Sequence, residues 1–186
     1  MKHFFILLTG LTIIYMMTVV FANSVMEDLS ENIIRLHIVA NSDNQKDQKI
    51  KLEIRDEILR ADINIEDRNS AILNVRKIEK IANRVLLKNG FSYGAKVDFG
   101  NFKFPEKSYD EITLPAGNYY GINVILGNGQ GKNWWCVLSP PACLMEGCVK
   151  FDDEALKSRL NDETFMVISK NYQYKSKIAE IFKNLF

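Results

Sequence analysis

Apolar and polar positions divide the chain into four regimes. Phe4 to Ala22 is a run of nineteen residues without a charge. From Val25 to Asn89 apolar residues recur at strand or helix spacing, and neither glycine nor proline occurs. Nine of the ten glycines and all four prolines fall between Gly90 and Gly147, and from Cys148 to Phe186 both are absent again. This pattern predicts a helix-rich part, a turn-rich β part and a second helix-rich part. The expected fold is a single α+β domain over residues 25–186, a largely antiparallel sheet covered by helices from both ends.

Individual elements follow from local spacing. Ile33 to Ala40 is β-branched and apolar, with Arg35 and His37 on one face, and reads as a strand. Ser42 to Gln45 has the form of a capping box, Ser42 taking an early helix N–H and Gln45 reaching back. The helix it opens runs to about Arg60, with Ile50, Ile54, Ile58 and Ala61 as its apolar stripe and Leu52 and Leu59 nearly opposite. A second helix, from about Asp67 to Asn89, places Ile72, Val75, Ile78, Ala82, Val85 and Leu86 on one face, and Gly90 is positioned to cap its end. Its opposite arc carries Arg76, Lys77, Lys80, Arg84 and Lys88 and no acid, the composition of a solvated face or of one docking on anionic lipid or an acidic partner. Strands are expected at Tyr93–Phe104, Tyr119–Leu126 and Trp134–Leu138, the last two joined by a hairpin at Gly127–Gly131. Asp153–Asn161 reads as a helix, Phe165–Ser169 as a short strand, and Tyr174–Phe186 as a closing helix.

The N-terminal run changes the picture of location. Lys2 precedes it and Glu27, Asp28 and Glu31 follow it, which orients the rest of the chain outward by the positive-inside rule. Residues 1–24 therefore read as a signal peptide, with Val20-Phe21-Ala22 or Ala22-Asn23-Ser24 as cleavage site, or as a retained transmembrane anchor over residues 4–22. The chain has 24 basic and 23 acidic side chains, and Lys2 is the one charge before Glu27, so the remainder is neutral. Nothing draws such a domain towards nucleic acid. About 160 residues also suffice to bury about 70% of the unfolded surface, so the core needs no metal or disulfide.

Candidate chemistry is sparse. Gly127-Asn-Gly-Gln-Gly-Lys132 fails as a phosphate loop: Leu126 stands where the leading glycine belongs, and Asn133 where a serine or threonine belongs. His37 is the one histidine beyond the leader, so a hydrolase would have to use it with Ser42 or Cys136, and no nucleophile elbow surrounds any serine. Cys136, Cys143 and Cys148 lack zinc-finger spacing. In an oxidising compartment they read as a Cys136–Cys143 disulfide across Pro140-Pro141 with a spare Cys148, worth about 2–3 kcal/mol in the loop-entropy account. In a reducing one they are three thiols. No catalytic set, metal site or cofactor site is expected. Trp134 and Trp135 are adjacent on a strand and must point to opposite faces, so one of them is a candidate interface anchor.

Two stretches are more particular. Ile34-Arg-Leu-His-Ile-Val-Ala-Asn-Ser-Asp43 continues through Asp47-Gln48 and Lys51-Leu-Glu-Ile-Arg-Asp56. Leu114-Pro-Ala-Gly117 is followed by Gly131-Lys-Asn-Trp-Trp-Cys-Val-Leu138 and Pro140-Pro-Ala-Cys143. Together they resemble the stage II sporulation protein R family, with Ser139 standing where an aromatic is usual and Cys148 as an additional cysteine. The resemblance implies a protein made in the forespore and exported into the space between its membrane and that of the mother cell. There it would trigger a membrane-bound aspartic protease that removes the pro-sequence of sigma-E. It implies a ligand of a protease and not an enzyme. It leaves Trp134, Trp135, Pro140, Pro141, Arg35, His37, Asn41 and Asp43 as partner-binding candidates.

Overall fold

The computed structural model describes residues 1–61, 63–109, 112–141 and 153–169. Its elements are α1 (Lys2–Asn32), β1 (Ile34–Val39), α2 (Gln45–Arg60), α3 (Arg68–Lys88), β2 (Ala95–Phe104), β3 (Lys107–Tyr109), β4 (Ile112–Leu114), β5 (Gly117–Leu126), β6 (Asn133–Ser139), α4 (Asp153–Lys157) and α5 (Asp162–Ile168). Four strands form one sheet in the order β2-β5-β1-β6, and β3 and β4 form a separate two-stranded ribbon. β1 runs parallel to β5 and antiparallel to β6, while β2 is antiparallel to β5. The architecture is the expected α+β domain, with an antiparallel pair on each side of a parallel centre.

The place of β1 explains that centre. Ile34, Leu36 and Ile38 are buried on one side and Arg35 on the other, a pattern that suits a strand covered on both faces. Consequently β5 and β6 are not neighbours, and the hairpin expected at Gly127–Gly131 is instead a crossover over the end of β1. Gly127 and Gly129 take φ of 54° and 63°, a left-handed region in which a side chain would be strained.

α2 and α3 cover one face. Ile50, Ile54 and Ile58 of α2 and Ile78, Ala82, Val85 and Leu86 of α3 pack on Leu36, Ile38, Ile122 and Val124. Each large buried aliphatic contributes about 1.5–3 kcal/mol. Two local expectations change. The N-cap of α2 is Asn44 and not Ser42, because the Asn44 side chain accepts the Asp47 N–H. Ile72 leaves the buried stripe of α3 and is 54% exposed. α3 itself starts at the Asp67–Ser70 capping box, and Gly90, at φ 75°, follows its end.

The other face carries a second core, in which Val25, Leu29 and Ile33 from the end of α1 meet Phe104, Tyr119, Val137, Leu156 and Ile168. Phe165–Ser169, expected as a strand, belongs mainly to helix α5. Asn161 caps that helix by accepting the Thr164 N–H, and Ser169 makes one isolated bridge to Ile112. The cap and the inward spacing of Thr164 and Ile168 outweigh the β propensity of the segment. α1 is continuous from the uncharged run into the domain, and is long and apolar enough to cross a membrane. The helix expected at Tyr174–Phe186, with Cys143 and Cys148, lies outside the described residues.

Candidate functional site

The residues singled out by sequence gather around β1, in two groups separated by the sheet. The first group sits where the chain crosses the end of β1. Asp47, 2% exposed, is its centre. Its Oδ2 accepts from Asn41 Nδ2 at 2.8 Å, Ser42 Oγ at 2.6 Å and Asn44 Nδ2 at 3.0 Å. Its Oδ1 accepts from the Tyr93 hydroxyl at 2.6 Å. Burial alone would raise the Asp47 pKa, but the hydrogen bonds from Ser42, Tyr93, Asn41 and Asn44 outweigh it and hold the carboxyl below its usual range. The Tyr93 phenol is pushed up by burial and by this carboxylate.

The same residues fasten the crossover. Asn41 Oδ1 accepts the Asn128 N–H at 2.9 Å, and Asp43 Oδ1 accepts the Lys132 N–H at 2.7 Å. Gln130 and Gly131 donate their N–H groups to the carbonyls of Asn41 and Ala40. Lys51 is buried, and its Nζ donates to the Lys132 carbonyl and to Gln48 Oε1, each at 2.8 Å. Burial lowers its pKa, partly offset by Asp43. Asn41 and Asp43, partner-binding candidates by sequence, thus hold a loop. Asp47 and Lys51 carried no assigned role in the sequence. An acid three residues after Asn44, at the mouth of a helix, is the signal that would have found the hub.

The second group lies on the opposite face. The His37 ring stacks on Trp135, with centroids 3.7 Å apart and planes 12° apart. Phe104 stands edge-on to both rings. His37 Nε2 is 3.0 Å from Asn133 Oδ1, and burial lowers the imidazole pKa against the opposing effect of that bond. Beneath them Arg35 is fully buried. Its guanidinium sits 4.4 Å from the Phe104 ring centre and 4.9 Å from that of Tyr119, and donates to the Tyr109 hydroxyl at 3.0 Å. Arg35 therefore offers no surface to a partner, and packs the interior through cation–π and hydrogen-bond contacts.

The tryptophans divide as alternation requires. Trp134 packs on the α2/α3 side, half-buried under Arg55, and Trp135 on the side of His37. Pro140 is buried and Pro141 exposed. Ser139 accepts from Arg159 Nη1 at 2.8 Å. Cys136 is disulfide-bonded, while Cys143, its expected partner, lies outside the described residues.

Among the described residues, this geometry brings neither Ser42 nor Cys136 to His37 as a nucleophile. Cys136 pairs with Leu36 on the far face of the sheet, while His37 pairs with Trp135. Ser42 donates to Asp47. Among the described residues no three His, Cys, Asp or Glu side chains converge as a metal site would.

Comparison with known proteins decides the family. The model of the stage II sporulation protein R family matches residues 30–149. The chain belongs to that family. It is 40% identical over 126 residues to stage II sporulation protein R of Bacillus subtilis (strain 168), an alignment covering 63% of this chain and 56% of that protein. The chain thus spans little more than half the length of this curated relative. No solved structure matches. Both the Asp47 hub and the His37–Trp135 stack fall inside the matched region of this stage II sporulation protein R family member.

Proposed function

We propose that this chain is a forespore-made signalling protein that activates a membrane-bound aspartic protease of the mother cell and so triggers processing of pro-sigma-E. The observation that carries the reading is the family match over residues 30–149, joined to an apolar N-terminal helix continuous with the domain. In this reading residues 1–24 export or anchor the chain, residues 25–186 act in the space between the two membranes, and no nucleic acid is involved. Trp135, with His37 and Asn133 beside it and the Pro140-Pro141 turn at the end of its strand, is a surface offered to the protease. Aromatic groups held by stacking are favoured interface anchors, since little entropy is lost when they are covered.

The disulfide at Cys136 suits an extracytoplasmic compartment, and we assign Cys143 as its partner. Peptide mapping without reduction is expected to yield a Cys136–Cys143 linked pair; a Cys136–Cys148 pair would refute the assignment. The functional test uses a sporulating host whose own copy is deleted. The full chain expressed in the forespore is expected to restore sigma-E processing, and Trp135→Ala, exported and folded, is expected to reduce it by removing the shelf, whereas His37→Ala abolishing it would favour a hydrolase. Export without any processing would overturn the reading.

A further inference from the structure

The free edge of β2 is a second feature, distinct from the Trp135 shelf. Gly94 accepts the Gly127 N–H on the side of β5, so in this antiparallel ladder the backbone groups of Ala95, Val97, Phe99, Asn101 and Lys103 point away from the sheet. Asn83 of α3 closes the first of these positions. Its Nδ2 donates to the Ala95 carbonyl at 3.1 Å, and its Oδ1 accepts the Ala95 N–H at 2.9 Å. Beyond that cap, no hydrogen bond from the described residues covers the outward groups of Val97, Phe99, Asn101 and Lys103. An edge left open from Val97 to Lys103 is a template for another strand.

The flank of α3 above this edge carries exposed apolar and basic side chains. Ile72 precedes Asn83 by eleven residues, about 20° from three full turns, so it lies along the same flank. This accounts for its departure from the buried stripe and its 54% exposure. Phe99, stacked on Tyr120, is half-buried at the same edge. Arg76 shares the flank of Asn83 at seven residues' distance and Lys103 is exposed at the same edge, beside Glu79 on the helix, while Asp98 of β2 is ion-paired to Lys96.

We propose that the edge of β2 between Val97 and Lys103 binds an extended, acidic segment of a partner protein, which adds as a fifth strand and covers Ile72 and Phe99. Backbone pairing supplies affinity and the apolar and basic rim supplies choice. This rests on the protease-activation reading, with the receptor as the source of the strand.

The test places a photo-crosslinking residue at Asn101, or at Leu87, exposed at the far end of α3, as control, in the full chain expressed in the forespore. An adduct with the protease from position 101 and none from position 87 is expected. Asn101→Pro, which removes an outward N–H without touching the β5 ladder, should cut sigma-E processing by about tenfold or more. The exposed double variant Arg76→Glu/Lys103→Glu should cut it while melting normally, which covers failure of the proline variant to fold. Normal processing by both variants, with no adduct at position 101, overturns the inference. An adduct with a second copy of this chain also overturns it, in favour of self-pairing. An adduct with the protease but no processing by the wild type would instead strike the protease-activation reading.

Discussion

Replacing Asp47 with asparagine tests whether the signature around Ala40–Lys51 is a structural fastening. The carboxylate is 2% exposed and accepts four side-chain hydrogen bonds of 2.6–3.0 Å. Bonds to a buried charged acceptor are worth about 1.5–3 kcal/mol each, and they do not add. Asparagine keeps one oxygen, which can serve Asn41, Ser42 and Asn44 at reduced strength, and sets an NH2 against Tyr93, whose hydroxyl can turn to accept. The expected loss is therefore about 2–4 kcal/mol, below the sum of the bonds. For a chain of this size a 3 kcal/mol loss lowers Tm by about 6–12 °C. The chain has two tryptophans, adjacent in β6, so their fluorescence reports urea unfolding of the full chain in detergent micelles. Because the folded carboxyl titrates below its unfolded value of about 3.9, its contribution is complete above that pH and disappears as pH falls through the lowered value. Asp47→Asn should flatten this acid limb, and hydrogen exchange should show the Gly127–Lys132 crossover opening. Stability within about 0.5 kcal/mol of wild type, the range of an ordinary surface substitution, would refute the reasoning.

Other outcomes follow from the same structure. Arg35 is buried with no carboxylate partner among the described residues, so Arg35→Met is expected to stay within about 1 kcal/mol of wild type in urea unfolding, whereas Arg35→Lys loses about 2 kcal/mol by burying a localised charge. Gly131→Ala would drive a Cβ into the Ser42 carbonyl and the Ala40 Cβ, and a loss of about 2 kcal/mol or more is expected by thermal melting. The lowered His37 pKa means that the folded state favours the neutral ring. Stability should fall as pH drops from about 6.5 through the lowered folded value, and His37→Phe should remove that slope in urea titrations at pH 7.5 and 5.5.

Helices α2 and α3 were the most legible part of this chain. α2 ends at Arg60 as its stripe implied, and α3 spans Arg68–Lys88 between Asp67 and Gly90. Strand existence was also legible, but neighbour order was not. Nothing local distinguishes a loop that folds back from one that steps over a third strand, and that choice depended on burying β1 on both faces. The β3–β4 ribbon escaped notice because each strand is three residues long, too short for alternation to register. At the site, Asn41 and Asp43 were visible as particular residues, but their roles point inward to a loop about 87–89 positions away, and such long-range bonds leave no local pattern. Ile72 looked like core because periodicity marks a face and says nothing about whether a neighbouring strand reaches far enough to cover it.

The central claim is that this chain activates a protease and performs no hydrolysis itself. Its most direct test is reconstitution: the purified full chain is presented to vesicles holding the mother-cell membrane protease and pro-sigma-E, on the face that corresponds to the intermembrane space. The account predicts pro-sigma-E cleavage that requires both the chain and the protease, and that persists when Ser42 or Cys136 of folded chain is replaced by alanine. Absence of cleavage with a folded chain, or cleavage in vesicles that lack the protease, would contradict it.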